Sequence, residues 1–392
     1  VRSASASLYE EIFYTYTGID PVTKAPTGLT RIPNPAYVGT PLEGSTQTRY
    51  LNGEDGNPKY AAGYASKNLE PMYQDEFILG FQKQLTDQMS LGVRALSRTL
   101  KTSIDDNCDY HTVLEVAAEQ GYDTSNGPGA QFNHCFMVNP GKDVVFQGDV
   151  DGDGKVETIE IPAARLGPGS QRKYKALEFF FQGNWDKLFL QGSYTWSKSI
   201  GNVEGSVKSD NAGQTDTNVS ADFDYTTVML GAYGYLPNDR RHSLKLFGNY
   251  EFTDEWSVGA NLMVQSGRPE SCYGVYRGLN TSFYGNIHFS CDTGAPTSGG
   301  NNGETIVPRG TVGRTPWTTS FDLNVAYKPG WAEGLQFKVD VFNLLNNRKP
   351  IAVNEQGEDA AGNPTVVRER TYLTPLAWQA PRSVRFMVQY DF

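Results

Sequence analysis

Hydrophobic and polar positions alternate with period two over long blocks of this chain. At the C-terminus, Val384, Phe386, Val388, Tyr390 and Phe392 alternate with Ser383, Arg385, Met387, Gln389 and Asp391. Successive side chains on a strand point to opposite sides, so the block predicts a strand with one apolar and one mostly polar face. The same rule predicts strands over 334–346 (Leu335, Phe337, Val339 and Val341 against Gln336, Lys338 and Asp340) and over 317–328 (Phe321, Leu323, Val325 and Tyr327 against Asp322 and Asn324). It predicts another over 256–267, where Val258, Ala260, Leu262 and Val264 oppose Gly259, Asn261 and Gln265. Further strands are expected over 243–252, 188–199 and 175–185, near 88–101 and 74–85, and as a ragged piece near 8–16, which makes about ten.

The connections fall into two classes. Residues 86–88, 184–187, 253–255 and 328–334 are short turns. Those near 17–72, 102–172, 200–240, 268–315 and 347–381 are long and rich in Gly, Asn, Asp, Pro and Ser. Short and long alternate without exception. Long structureless loops are uncommon inside a compact soluble domain, whereas an outer-membrane barrel joins its strands by short periplasmic turns and long extracellular loops. The expected fold is therefore all-β, an antiparallel transmembrane β-barrel whose outer face meets lipid and whose inner face meets water. With the C-terminus in the periplasm, every long connection falls outside the cell.

Composition narrows this further. No stretch approaches the ~20 apolar residues of a membrane helix, which excludes a helical span and leaves a barrel untouched. Abundant Tyr (22), Phe (20) and Gly (41) suit aromatic girdles and tight turns. A net charge of −10 argues against nucleic acid, whose binding needs basic patches. The chain starts at Val1 without an initiator Met or a signal-like segment, so either a signal was removed or more sequence precedes it. Four cysteines form two local pairs, Cys108/Cys135 and Cys272/Cys291, which predicts two disulfides in an oxidising compartment. Both pairs fall in the outside loops. Neither has the CxxC spacing that zinc favours.

Several segments resemble the C-terminal barrel region of TonB-dependent outer-membrane receptors, especially the Oar-like branch. They are Pro71-Met72-Tyr73-Gln74-Asp75-Glu76-Phe77, Gly192-Ser193-Tyr194-Thr195-Trp196-Ser197-Lys198-Ser199 and Asn238-Asp239-Arg240-Arg241-His242. The run Phe337-Lys338-Val339-Asp340-Val341-Phe342-Asn343-Leu344-Leu345-Asn346 is similar to that family's penultimate strand, and Tyr390-Asp391-Phe392 to its terminus. The resemblance covers residue 70 to the end. It implies a barrel of about 22 strands closed by an N-terminal plug, energised by the inner-membrane TonB–ExbB–ExbD complex. About ten strands and no plug are visible, so the chain is expected to be the C-terminal part of a larger protein. The terminal Phe392 resembles the signal read by the barrel-assembly machinery, a role compatible with a simple lipid-facing position.

The sharpest chemical motif lies in the 102–172 loop. Asp149-Val150-Asp151-Gly152-Asp153-Gly154-Lys155-Val156-Glu157-Thr158-Ile159-Glu160 fits the calcium pattern D-x-[DN]-x-[DN]-G-x5-E. Ca²⁺ takes six to eight oxygens in flexible geometry, which closely spaced carboxylates on a tight loop supply. Asp149, Asp151 and Asp153 would each give a carboxylate oxygen, Lys155 its backbone carbonyl, Glu157 a direct or water-mediated ligand, and Glu160 the closing carboxylate. The flanks, Val144-Val145-Phe146 and Ile159-Glu160-Ile161-Pro162, look extended, so the loop is grafted on β structure and its expected role is structural. A solvated acidic turn is the bland alternative.

Catalytic motifs are missing: there is no G-x-S-x-G, P-loop or H-E-x-x-H, and His111, His134, His242 and His288 are scattered without ligand spacing. Trp185, Trp196, Trp256, Trp317, Trp331 and Trp378 suit interface anchoring. Glu178, Lys245, Glu251, Asp322, Lys338, Asp340 and Arg385 are expected to face the lumen in charge networks. The expected function is transport at the outer membrane, with ligand captured by the outside loops and passed through a plugged barrel; the ligand is not legible. The alternatives are a surface adhesion or docking protein and a passive porin.

Overall fold

The structure, a computed structural model, describes residues 10–11, 13–21, 25–33, 49–50, 61–126, 135–210, 217–276, 285, 287–292, 304–358 and 371–391. Ten strands form one antiparallel sheet: β1 (Tyr73–Thr86), β2 (Met89–Thr102), β3 (Arg172–Trp185), β4 (Leu188–Gly201), β5 (Gly234–Tyr235), β6 (His242–Glu251), β7 (Trp256–Gln265), β8 (Thr318–Tyr327), β9 (Leu335–Phe342) and β10 (Ser383–Tyr390). Nine pair in chain order as an up-and-down meander from β1 to β10, and the short β5 pairs with the end of β4. Short turns at 87–88, 186–187, 252–255 and 328–334 join the strands at one end. The long connections all leave from the other end, as the alternation predicts.

Register carries the sequence pattern across the sheet. Phe81, Val93, Phe179, Tyr194, Leu244 and Val264 pair in one continuous row from β1 to β7. Leu190, Gly248, Ala260, Leu323, Val341 and Val384 make another from β4 to β10. Because the side-chain period is two, a slip of one residue at any ladder would break these rows. The apolar face is exposed, with Phe81 at 64% and Phe386 at 77%. Aromatic rings border it at both ends. Trp256 stacks on Tyr327 at 4.4 Å and Tyr327 on Phe337 at 6.4 Å beside the short turns. Tyr194, His242 and Trp317 stack at 6.1 and 5.6 Å beside the long connections. An apolar band between two aromatic girdles is what a bilayer requires of a barrel's outer surface. The opposite face carries ion pairs between neighbouring strands, including Arg94–Glu178 and Arg385–Asp340.

The ragged pattern near 8–16 does not join this sheet. Glu10–Glu11 pairs with Arg49–Tyr50, and Tyr14–Thr15 with Thr30–Arg31. Adjacent glutamates and the nearby Gly18 and Pro21 leave no continuous apolar face to set a long register.

The chain divides into two units. The sheet belongs to the unit of residues 71–103, 170–215 and 226–392; the other comprises 1–70, 104–169 and 216–225. Residues 102–172, expected to be loop, contain a folded body in this second unit. Helix α1 (Tyr110–Glu119) is capped by Asp109, whose carboxylate accepts from the Thr112 N–H at 3.1 Å and its hydroxyl at 2.8 Å. Its Val113, Val116 and Ala117 pack against Phe136, Val138, Val144, Phe146, Val150, Ile159 and Ile161. Full burial of a Val, Ile or Phe side chain stabilises by ~1.5–3 kcal/mol, so this cluster supports a fixed structure where sequence shows only a loop. Cys108–Cys135 lies in this unit and Cys272–Cys291 in the other, both paired as predicted.

Candidate functional site

The hairpin Val144–Gly148/Glu157–Ile161 presents the acidic loop. Gly152 and Gly154 sit at φ +79° and +86°, a left-handed conformation that glycine adopts without strain. They turn their N–H groups inward: Asp149 accepts from Gly152 at 2.7 Å and from Gly154 at 3.0 Å. Asp151 accepts from the Asp153 N–H at 3.1 Å, and Glu157 from the Val150 N–H at 3.0 Å. Asp153 accepts from the Lys155 backbone at 2.8 Å and pairs with its ammonium, and the hydrogen bonds from Lys155 hold the Asp153 carboxyl below its ordinary value.

Carboxylate oxygens of Asp149, Asp151 and Asp153 lie within 4.8 Å of one another. Oxygens on one calcium ion, at 2.3–2.6 Å from it, are at most about 5 Å apart, so these three fit a shared ion. Glu157 stands at the neck of the loop. Glu160 is not gathered with them: it pairs with Val145 and is exposed, three residues further along the strand, or about 10 Å away from Glu157.

The other candidates are placed as follows. His242 bonds Tyr194 at 2.7 Å within the girdle, His111 pairs with Glu115 at 3.2 Å on α1, and His288 is buried. His134 and Phe392 lie outside the described residues. Of the expected lumen charges, Glu178 meets Arg94, Asp340 meets Arg385, and Asp322 contacts Asn261 at 3.3 Å. Lys245, Glu251 and Lys338 make no ion pair among the described residues.

Sequence reasoning missed a cavity of about 350 Å³ in the sheet-bearing unit, where Asp210, Arg268, Tyr273, Asn354, Glu355 and Gln356 line the wall together with Ala352, Val353 and Leu376. Arg268 pairs with Glu355 at 2.7 Å, and burial pushes the Glu355 carboxyl up to about 7 against that attraction. Burial also acts to raise Asp210, but Arg309, bound through Nε at 2.7 Å, and Lys208 outweigh it and hold that carboxyl below its ordinary value. These residues come from three separate long connections, and no spacing in the sequence joins them.

No family model matches the chain. A TonB-dependent transporter, Oar of Myxococcus xanthus, is 26% identical over 320 residues, which is 71% of this chain and 28% of that protein. The resemblance read from the motifs to Oar-like TonB-dependent receptors therefore holds, and the chain spans 28% of the length of the curated relative it matches. Among solved structures, the outer-membrane transporter YddB of Escherichia coli matches at TM-score 0.44 and 12% identity, over 90% of this chain and 36% of that one. The ferric-catecholate import receptor Fiu of E. coli matches at TM-score 0.41 and 13% identity, over 98% and 40%.

Proposed function

We propose that this chain is the C-terminal barrel part of an Oar-like TonB-dependent transporter of the bacterial outer membrane. The observation that carries the reading is the uninterrupted apolar face, in register over nine strands and bordered by aromatic girdles, in a chain related to such a transporter. The sheet has two free edges, β1 and β10, among the described residues. A sheet edge left open in lipid would strand its N–H and C=O groups, so a larger closed barrel, of about 22 strands, suits these edges. In this reading the long connections capture ligand, the cavity beside Arg268 and Glu355 is one place where a small ligand fits, and a plug domain couples the barrel to TonB–ExbB–ExbD. Outer-membrane lipid and the barrel-assembly machinery are its other partners, and no enzymatic step is part of it.

Calcium belongs to the same proposal. Asp149, Asp151 and Asp153 would hold the ion, with the Lys155 carbonyl and Glu157 completing it more readily than Glu160. Its role would be to fix the hairpin tip, where three carboxylates otherwise repel. The transport reading is tested by isolating the protein from outer membrane and measuring binding to the purified periplasmic domain of TonB. Binding with a closed barrel is expected. Steady open conductance in a planar bilayer with no TonB binding would replace this reading by the passive porin.

A further inference from the structure

Two acidic pairs that lie more than a hundred residues apart meet in the unit of residues 1–70, 104–169 and 216–225. Asp105 and Asp106 sit on the short strand Asp105–Asn107, paired with Phe136–Val138. Asp222 and Asp224 belong to the segment 217–225, which is stitched to that strand. The Ser220 N–H and hydroxyl each donate to Asp105 at 2.7 Å, the Asn107 amide donates to the Phe223 carbonyl at 2.8 Å, and the Cys108 N–H donates to the Asp224 carbonyl at 3.1 Å. All four acids are buried, with exposures of 1% for Asp105, 6% for Asp106, 2% for Asp222 and 6% for Asp224.

A buried carboxylate needs a compensating partner. Asp105 finds one in Ser220. Asp106 differs: its Oδ1 is fully buried and accepts no hydrogen bond. Neither Asp105 nor Asp106 makes an ion pair with a Lys, Arg or His among the described residues. Asp106 points instead at another acid, and carboxylate oxygens of Asp106 and Asp224 lie within 4.8 Å of each other beside the Cys108–Cys135 bridge. The bridge sulfurs are bonded to one another and offer no thiolate, so the donor set is all oxygen. Hard oxygen donors at this separation suit calcium rather than zinc or copper.

We propose that Asp106 and Asp224, backed by Asp105 and Asp222, bind a calcium-class divalent cation that pins the 217–225 segment to the strand beside Cys108–Cys135. The site is distinct from the Asp149–Glu157 loop and depends neither on calcium in that loop nor on the transport reading. It joins two long connections that leave the sheet separately.

The test uses the full chain folded in detergent, stripped of divalent ions, and carrying D151A/D153A so that the hairpin loop is disabled. Calorimetry with Ca²⁺ should still find one site. Tb³⁺ should bind there with emission sensitised by Tyr225, the neighbour of Asp224. Adding D106N/D224N should weaken binding at least tenfold and abolish the emission, while heat-modifiable migration in gels reports that the sheet is folded. The proposal is overturned if the D151A/D153A chain binds neither ion, or if D106N/D224N leaves binding unchanged. The first of these outcomes needs no change to the cluster, so it holds even if D106N/D224N fails to fold.

Discussion

Asp239 shows what a single residue in the Asn238–His242 motif does. Its side chain is fully buried and accepts from the Ser199 N–H at 2.6 Å and from Arg241 at 3.0 Å, and it pairs with Arg314. Arg241 and Arg314 also lie over the Tyr235 ring at 5.3 and 5.6 Å, so the carboxylate and the ring together fix two guanidiniums. Removing one partner of a buried ion pair costs about 3–5 kcal/mol. Asp239→Ala should lower the urea midpoint for unfolding of the sheet accordingly, and Asp239→Asn less; a wild-type midpoint in Asp239→Ala would dismiss the anchor. The motif was legible in the sequence, but its role was not, because two of its partners, Ser199 and Arg314, stand 40 and 75 residues away. Asp105 supplies a second residue-scale expectation. Burial pushes its carboxyl from 3.8 up to about 7. A folded state that holds a proton more tightly than the unfolded chain loses stability as pH rises from ~4 through 7. Calcium-free protein should therefore show a lower melting midpoint for the Asp105 unit at pH 8 than at pH 5.5, with millimolar Ca²⁺ closing most of the gap. Equal calcium-free midpoints would show that Asp105 is ionised without penalty.

At the scale of elements, strands were legible because their two faces meet different media. Every predicted strand from β1 to β10 outside the short β5 lies where its alternation placed it, and the apolar members share one face throughout. Helix α1 was missed inside a stretch read as loop, although its signals are present: Asp109 three residues before Thr112, apolar Val113, Val116 and Ala117 at helical spacing, and Gly121 at φ +96° just past the end. Only one apolar stripe and ten residues carry that signal, against the Gly- and Asp-rich text around it. The two faces of β3 make opposite forecasts. Phe179, half exposed in the apolar row, should tolerate no charge, and Phe179→Arg should destabilise by ~2–4 kcal/mol in lipid vesicles. Gln182 pairs with Ser90 and Gln191 on the polar face, so Gln182→Lys should fold with a near-wild-type denaturant midpoint. Equal effects of the two substitutions would mean that the assignment of faces is reversed or void.

At the scale of the molecule, the sequence disclosed the sheet and the acidic hairpin but concealed how the long connections fold. A local motif such as Asp149–Glu157 is visible because its ligands are neighbours in the chain. The Asp105–Asp106 and Asp222–Asp224 pairs, and the cavity of Asp210, Arg268 and Glu355, exist only after separate connections have met. The sheet is held by its own ladders and, on our reading, by lipid. The unit containing α1 is held by a small core, one disulfide and, on our reading, calcium. Those supports make distinct demands, and protease can separate them. In calcium, oxidised protein should resist cleavage within 103–170. Chelation in the wild type, or Asp151→Ala with Asp153→Ala, should open the 149–156 tip first, because the carboxylates there lose their shared partner. Reduction together with chelation should extend cleavage to described residues beside the bridge, such as 105–110, since the Cys108–Cys135 link no longer limits the chain. The sheet should keep its heat-modifiable migration through both treatments, as none of its ladders includes these residues. Cleavage sites and rates indifferent to calcium would remove the ion from the account of this unit and leave the core and the disulfide as its supports.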